Sequence, residues 1–111
     1  MEDCIFCKIL NKEIPCDKVY EDENVLAFND INPQAPIHII VIPKKHVKSV
    51  LEADREIIGD VFEAINKIVK EKGIDKSGFR VITNCGKAAG QTVEHLHFHI
   101  LAGTELAEKI V

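Results

Sequence analysis

The chain has 111 residues, 46% of them hydrophobic, which predicts one compact domain over residues 1–111. Its formal net charge is -4 and its basic residues are scattered, so the electrostatic signature of a nucleic-acid binder is missing. The first residues are acidic where a signal peptide would be basic, and no apolar run approaches the roughly 18 residues of a membrane helix. These features predict a cytoplasmic protein that binds neither nucleic acid nor membrane.

A short helix is the first predicted element, capped by Asp3 and ending near Asn11. Its apolar face consists of Ile5, Phe6, Ile9 and Leu10. The same segment carries Cys4 and Cys7, whose Cys-x-x-Cys spacing is typical of metal or redox sites. Because disulfides are rare in the reducing cytosol, a disulfide framework is disfavoured.

Three strands and a long helix follow. Residues 18–21 and 25–29 form a predicted hairpin, and residues 37–42 form a buried strand that contains His38. A helix is predicted over residues 54–72, because its apolar side chains recur on one stripe and its charges match the helix dipole. The stripe consists of Ile57, Ile58, Val61, Phe62, Ile65, Ile68 and Val69.

Capping signals mark both ends of this helix. Ser49-x-x-Glu52 is a capping-box pattern, which allows the helical region to begin one turn earlier, and Gly73 provides a left-handed cap. Two further strands are predicted at residues 79–84 and 95–102, on either side of a glycine-containing loop.

The last predicted strand alternates imidazole with a large apolar side chain, as His95-Leu96-His97-Phe98-His99-Ile100. The two-residue period of a strand places the histidines on one face and the apolar residues on the other, against the long helix. The residues alone leave two interpretations of the histidines open. The histidines could be solvated polar residues, or a metal could bind one or two of them. Three on one ion is disfavoured, because positions i and i+4 lie about 13 Å apart on a strand.

The histidine pattern resembles that of the histidine triad (HIT) family, and other segments resemble its Hint branch. These segments begin at Cys4 (Cys-Ile-Phe-Cys-Lys-Ile), Ala27 (Ala-Phe-Asn-Asp-Ile-Asn-Pro-Gln-Ala-Pro-Ile-His), Ile42 (Ile-Pro-Lys-Lys-His) and Gly90 (Gly-Gln-Thr-Val-Glu-His). The resemblance implies an α+β fold, in which an antiparallel sheet of about five strands packs against one long helix and a short N-terminal helix. It also implies a homodimer.

The resemblance further implies a catalytic group and a purine nucleotide site. His97 would attack the α-phosphorus to form a nucleotidyl-histidine intermediate, His99 would contact the phosphate and leaving group, and His38 would point into the same site. Asp30 would accept the ribose hydroxyls. The base pocket would comprise Ile5, Phe6, Ile9, Phe28 and Ile31, each of which could equally be simple core, and the phosphate loop would comprise Asn84, Gln91, Thr92 and Val93.

By resemblance to zinc-containing relatives, Cys4, Cys7, His46 and His95 would form a structural Cys2His2 zinc site. Four protein ligands leave no open position for substrate on the ion. The alternative is a pair of free thiols beside ordinary histidines, since many Hint proteins lack these cysteines.

The implied activity is hydrolysis or transfer at the α-phosphate of purine nucleoside phosphoramidates or related nucleotidyl conjugates. Dinucleoside polyphosphate hydrolysis is an alternative, and so is a nucleotide-binding adaptor with little catalysis. The tail from Leu101 onward differs from the Hint pattern, which leaves the leaving group undefined.

Overall fold

The computed structural model describes residues 4–109, in which five strands form one antiparallel sheet of order β1-β2-β3-β5-β4. The strands are β1 (Lys18–Glu21), β2 (Val25–Asn29), β3 (Ile37–Pro43), β4 (Arg80–Ile82) and β5 (Phe98–Ala102). The helices are α1 (Ile5–Leu10), α2 (Arg55–Lys72) and α3 (Ile74–Ser77), with 3-10 turns at Val50–Glu52 and Lys87–Ala89. The predicted α+β class and the number of strands are confirmed.

Helix α2 has the ends that its sequence predicts. The Asp54 carboxylate accepts a hydrogen bond of 2.9 Å from the Ile57 amide, which satisfies a free donor of the first turn. Gly73 adopts a left-handed φ of 72° and ends the helix. Between these caps, the apolar stripe of α2 packs on one face of the sheet, where it meets Ile39, Val41 and the apolar side chains of β5.

The opposite face of the sheet is covered by α1. There Phe6 packs with Leu26, Phe28, Ile40 and Ile42 in a second apolar cluster. Because both faces are covered, alternate residues of β3 are buried on opposite sides, which explains its continuous apolar sequence. Within residues 4–109, every helix is too short or too polar to span a bilayer.

Two predicted strands are shorter than expected. Strand β5 begins at Phe98 and not at His95, because the Leu96 amide leaves the sheet ladder to donate to the Val47 carbonyl at 2.7 Å. Strand β4 covers only Arg80–Ile82 of the predicted 79–84. The prediction that the apolar residues of this segment face the long helix is nevertheless confirmed, since Leu96, Phe98 and Ile100 pack in the same apolar cluster as α2.

The two capping predictions have different outcomes. The Ser49 hydroxyl caps a separate 3-10 turn by accepting from the Leu51 amide, so α2 does not begin a turn earlier. Asp3, the predicted cap of α1, lies outside the described residues. The N-cap position is taken by Cys4, whose Sγ accepts from the Cys7 amide at 3.2 Å.

Candidate active site and metal cluster

All five histidines of the chain lie in two adjoining groups. In the first group, the ring of His99 lies 5.0 Å from that of His38 and 5.2 Å from that of His97, measured between centroids. In the second group, the rings of His46 and His95 are 4.8 Å apart. The Phe6 ring contacts both groups, because it packs edge-on against His97 and His95 at 5.1 and 5.9 Å.

His97 is held by one ring nitrogen and by its main chain. Its Nδ1 lies 2.7 Å from the His95 carbonyl oxygen, which can only accept, so Nδ1 carries the proton. In the neutral ring, Nε2 then has a free lone pair. The Thr83 hydroxyl donates to the His97 carbonyl at 2.8 Å and fixes the backbone. His97 is therefore a buried, oriented imidazole with one basic nitrogen left for a ligand.

His38 and His99 are ordered by hydrogen bonds that run in one direction. The Gln34 amide donates to His38 Nδ1 at 2.9 Å, so a neutral His38 carries its proton on Nε2. That nitrogen lies 2.8 Å from His99 Nδ1, to which it donates, and 3.3 Å from an Asp30 carboxylate oxygen. His99 therefore carries its own proton on Nε2.

Both of these rings are neutral at neutral pH. Burial, with smaller contributions from the neighbouring His97 and His38, lowers the pKa of His99 to about 4. Burial also lowers the pKa of His38, against the opposing effect of the Asp30 carboxylate. The pair thus provides a hydrogen-bond donor without a positive charge.

The second group is completed by two cysteines. His95 Nδ1 lies 3.3 Å from Cys4 Sγ and 3.6 Å from Cys7 Sγ, and His46 Nδ1 lies 3.2 Å from Cys7 Sγ and from His95 Nδ1. Ligands of a tetrahedral zinc ion are separated by about 3.3 to 3.8 Å, given zinc–ligand bonds of about 2.0 to 2.3 Å. The four predicted ligands therefore converge at close to the dimensions of such a site.

The protonation of this group also suits a metal. His95 donates from Nε2 to the Pro43 carbonyl at 2.9 Å, which leaves a lone pair on Nδ1, the nitrogen that faces the sulfurs. Burial, with an added effect from Cys4, raises the pKa of Cys7 to about 11. Two thiolates at this position consequently need a nearby cation, which a divalent ion would supply.

Asp30, His38 and His99 form another convergent group, with ligand atoms within 4.8 Å of one another. A metal on His38 Nε2 would require the proton on Nδ1, where the Gln34 amide already points a donor. This clash of two donors disfavours a metal, so the group is better described as a hydrogen-bond relay.

The residues predicted for the purine pocket do not form one closed pocket. Phe6 and Phe28 are 7% and 5% exposed and belong to the apolar core beneath α1. Ile9 is partly buried at the edge of that core. Ile31 and Ile5 are 91% and 45% exposed, so they lie at the surface. The simple core reading fits the two phenylalanines, and only the isoleucines have area free for a base.

The predicted phosphate loop is folded by one of its own side chains. Gln91 donates from Nε2 to the carbonyls of Lys48 and Val93 at 2.6 and 3.0 Å, and its Oε1 accepts from the Gly86 amide at 2.8 Å. Its amide is therefore engaged in closing the loop, and a contact with phosphate would require these bonds to rearrange. Asn84 is half-buried just after β4.

Thr92 and Val93 line a cleft of about 420 Å³ beside the cysteine cluster. Its other lining residues are Cys4, Ile5, His46, Lys48 and Glu94. The structure thus places part of the predicted nucleotide set next to the predicted metal set.

Sequence reasoning missed the groups that orient the histidines. These are the Gln34 amide, the carbonyls of Pro43 and His95, and the Thr83 hydroxyl. Three of the four belong to the main chain, which no side-chain pattern reports. Only Thr83 could have been found, as a polar residue at the end of a predicted strand beside the histidine segment.

Comparison with known proteins identifies the family. A model of the HIT domain matches residues 11–106. A HIT family hydrolase from Clostridium thermocellum is 48% identical, with a TM-score of 0.95 over 100% of this chain and 99% of that one. A histidine triad protein from Clostridium difficile is 57% identical, with a TM-score of 0.93 over 99% and 98% of the two chains. Protein HitA of Neisseria gonorrhoeae is 45% identical over 91% of this chain and 96% of its own. The chain belongs to the HIT domain family.

Proposed function

We propose that this HIT protein is a hydrolase or transferase of the Hint type that acts on the α-phosphate of purine nucleoside phosphoramidates or related nucleotidyl conjugates. The observation that carries the proposal is the hydrogen bond from His97 Nδ1 to the His95 carbonyl, because it holds the ring proton on Nδ1 and leaves the lone pair of Nε2 free. A relative described as a HIT family hydrolase supports the same reaction class.

The reaction proceeds in two steps. His97 Nε2 forms a bond to the α-phosphorus while the bond from phosphorus to the amine breaks, and the amine leaves with one proton taken from the medium. Water then forms the new phosphorus–oxygen bond while the bond from phosphorus to His97 Nε2 breaks, which releases one proton and restores the neutral imidazole. The division is favourable because imidazole is both a good nucleophile and a good leaving group near neutral pH.

The positive charge that His97 gains in the intermediate is stabilised through Nδ1. That nitrogen already donates to the His95 carbonyl, and the bond strengthens as the ring becomes cationic. The nucleotide would be held by the predicted set, with Asp30 at the ribose and Ile5, Ile9 and Ile31 at the base. Asn84, Thr92, Val93 and the amides of the loop would face the phosphate, while Gln91 shapes that loop.

The test is turnover of adenosine 5'-phosphoramidate, followed by phosphorus NMR. The wild-type protein should release AMP and should gain the mass of one adenylyl group when the reaction is quenched early. His97→Gly should lose both properties, and added imidazole should restore release of AMP by occupying the space of the missing ring. Binding without turnover by the wild type would instead identify an adaptor, and preferential cleavage of a dinucleoside polyphosphate would identify the alternative hydrolase.

We propose a structural zinc ion as the cofactor, held by Cys4, Cys7, His46 and His95. The donor set and its spacing support this choice. When bound, the ion would crosslink α1 to the segment that precedes β5 and would stabilise both thiolates. Atomic emission analysis of the purified protein should find one zinc per chain, and Cys4→Ser should lose it.

We further propose a cytoplasmic homodimer of a single-domain chain. Strand β4 is an edge strand of the sheet, and Phe62 and Phe79 are 41% and 38% exposed, which suits a partner surface. Sedimentation velocity should give the mass of two chains, and Phe62→Asp should shift the equilibrium toward the monomer.

A further inference from the structure

The Asp30–His38–His99 relay defines what His99 can and cannot do for a substrate. Three of the four ring nitrogens of His38 and His99 already take part in hydrogen bonds. His38 Nδ1 faces the Gln34 amide, and a single proton lies between His38 Nε2 and His99 Nδ1. The remaining nitrogen is His99 Nε2, which carries a proton. A further proton has no position on this pair unless one of the hydrogen bonds breaks.

The same geometry prevents His99 from giving up its proton. If His99 lost the Nε2 proton, the pair would become an anion beside the Asp30 carboxylate, whose oxygen is 3.3 Å from His38 Nε2. Two neighbouring anions in a largely buried site repel each other strongly. The proton therefore stays on His99, and the ring offers a hydrogen bond and not a proton.

Asp30 has a place in this arrangement that a contact with ribose does not explain. One carboxylate oxygen accepts from the Asn32 amide at 2.8 Å, which fixes the side chain, and the other faces His38 Nε2. A lone pair at that ring nitrogen would face a negative oxygen, so the carboxylate favours the tautomer with the proton there. Asp30 and the Gln34 amide thus enforce the same tautomer from opposite ends of His38.

We propose that Asp30 is a positioning residue which, through His38, locks His99 as a neutral Nε2–H donor to the phosphoryl oxygens of the substrate. His99 is then a catalytic residue by hydrogen bonding, since a donor aimed at a phosphoryl oxygen stabilises the negative charge that grows there. This inference rests on the proposed function for its substrate, but the tautomers it specifies do not depend on turnover.

The donor role predicts a particular pattern of rescue at position 99. His99→Gln keeps a neutral N–H donor of similar reach, and kcat should stay within about tenfold of the wild type. His99→Leu has no donor, and kcat should fall by about 100- to 1000-fold. A general acid would not be rescued by an amide, so equal loss in the two variants would overturn the inference.

The role of Asp30 is tested by an experiment that distinguishes a contact with the ribose hydroxyls from an effect through His38. The substrates are adenosine 5'-phosphoramidate and its 2',3'-dideoxy analogue, and the variant is Asp30→Asn. If Asp30 acts through His38, the variant should lower kcat by about 10- to 100-fold on both substrates. If it acts through the ribose hydroxyls alone, the loss should appear mainly in KM and should vanish with the dideoxy analogue, which would overturn the inference.

A spectroscopic measurement makes the outcome independent of activity. Long-range proton–nitrogen NMR spectra of the histidine rings should report Nε2–H tautomers for His38 and His99 in the wild type, and a changed nitrogen shift for His99 in Asp30→Asn. Unchanged His99 shifts would overturn the positioning role. Failure of the proposed function gives a different result, namely binding without turnover by the wild type, or turnover that persists in His97→Gly.

Discussion

The histidine rings of this protein differ in which nitrogen carries the proton, and main-chain groups decide which one it is. A carbonyl at Nδ1 frees Nε2 of His97, a carbonyl at Nε2 frees Nδ1 of His95, and an amide at Nδ1 puts the proton on Nε2 of His38. Because each backbone group only donates or only accepts, it selects one tautomer. Chemically identical rings consequently present a free lone pair on Nε2 in His97, a free lone pair on Nδ1 in His95 and an N–H donor in His38.

Thr83→Val should make the orientation of His97, the proposed nucleophile, less fixed, while the side-chain volume at position 83 stays the same. The variant removes the 2.8 Å hydrogen bond from the hydroxyl to the His97 carbonyl and leaves that carbonyl without this partner. We expect the free energy of unfolding to fall by about 1 kcal/mol and kcat to fall more than KM rises. Urea unfolding and steady-state kinetics measure the two effects.

Thr83→Ser is the matched control, because it retains the hydroxyl and should behave like the wild type. If the valine variant loses stability but keeps its kcat, the hydrogen bond supports only the fold and not the orientation of His97.

At the residue scale, the sequence predicted which side chains meet but not how each is protonated. The alternation of residues 95–100 correctly separated the histidines from the apolar face against α2. The tautomers depend on Pro43, Gln34 and their main-chain geometry, which follow from the tertiary fold. Ile31, which the resemblance places at the base pocket, is 91% exposed in the β2–β3 loop, and its contact with a base stays a prediction.

Helix α1 is the element that a metal at the cysteine cluster would stabilise most. It has six residues, Ile5–Leu10, which is too short for independent stability in water. Its main described anchors are the buried Phe6 and the approach of Cys4 and Cys7 to the two histidines. A metal at this cluster would add the crosslink that the helix itself cannot provide.

Removal of the metal should therefore lower stability and release α1. We expect both a strong chelator and the variant Cys7→Ser to lower the melting temperature by several degrees or more, because the ligand–metal bonds contribute directly to folding. Differential scanning calorimetry with metal analysis measures this, and amide exchange should increase first in α1. Cys16→Ser is the control, since Cys16 is exposed and outside the cluster, and its melting temperature should not change.

Two glycines are expected to respond in opposite directions to alanine. Gly103 follows β5 with a φ of 92°, and an added Cβ would lie 3.0 Å from the Pro36 Cβ. Gly59 lies on the exposed side of α2 with open space around it. Gly103→Ala should lower the free energy of unfolding by about 1 to 3 kcal/mol, and Gly59→Ala should raise it by about 0.5 to 1 kcal/mol.

Urea unfolding of the two variants measures both signs in one experiment. A neutral Gly103→Ala would mean that the loop before β3 yields to the methyl group, contrary to the expected clash with Pro36.

At the element scale, the sequence predicted the helices and strands that have strong local signals. Strands β1 and β2 have the predicted bounds, and α2 starts at Arg55, one residue after its predicted start. The start of β5 was wrong, because the Leu96 amide pairs with Val47, a residue that is distant in sequence. The short helix α3, Ile74–Ser77, was not predicted, since four residues carry no periodicity.

For the whole molecule, the histidine pair makes stability depend on pH. The pKa of His99 is about 4 in the folded protein against an ordinary value of 6.5, and the pKa of His38 is lowered as well. Between these two values the unfolded chain binds a proton that the folded chain does not, so acid favours unfolding. The contribution is complete above pH 6.5 and is lost as the pH falls toward about 4.

The measurement is the urea midpoint across this pH range, for wild type and His99→Gln. Both proteins are compared after metal removal, so that acid loss of the metal does not contribute to the slope. The midpoint of the glutamine variant should fall less steeply, and equal slopes would show that the ring does not carry the effect.

The arrangement of the whole molecule was predictable only through the family resemblance. Local patterns gave five strands and a long helix, but the order β1-β2-β3-β5-β4 places the last strand inside the sheet, between β3 and β4. That insertion brings His99 beside His38 of β3, since His99 pairs with Ile40. Only tertiary packing makes this choice, because hydrophobic periodicity carries no information on which strands become neighbours.

His95 participates in both centres, yet through different parts of the residue. Its imidazole faces the cysteines, whereas its peptide oxygen accepts the hydrogen bond from His97 Nδ1. Every amino acid brings that oxygen, so replacing the side chain at position 95 would remove one of the four clustered ligand groups and still leave an acceptor for His97 Nδ1. A single substitution at position 95 would thus separate the proposed metal site from the orientation of the proposed nucleophile, so that the first could be removed while the second is kept.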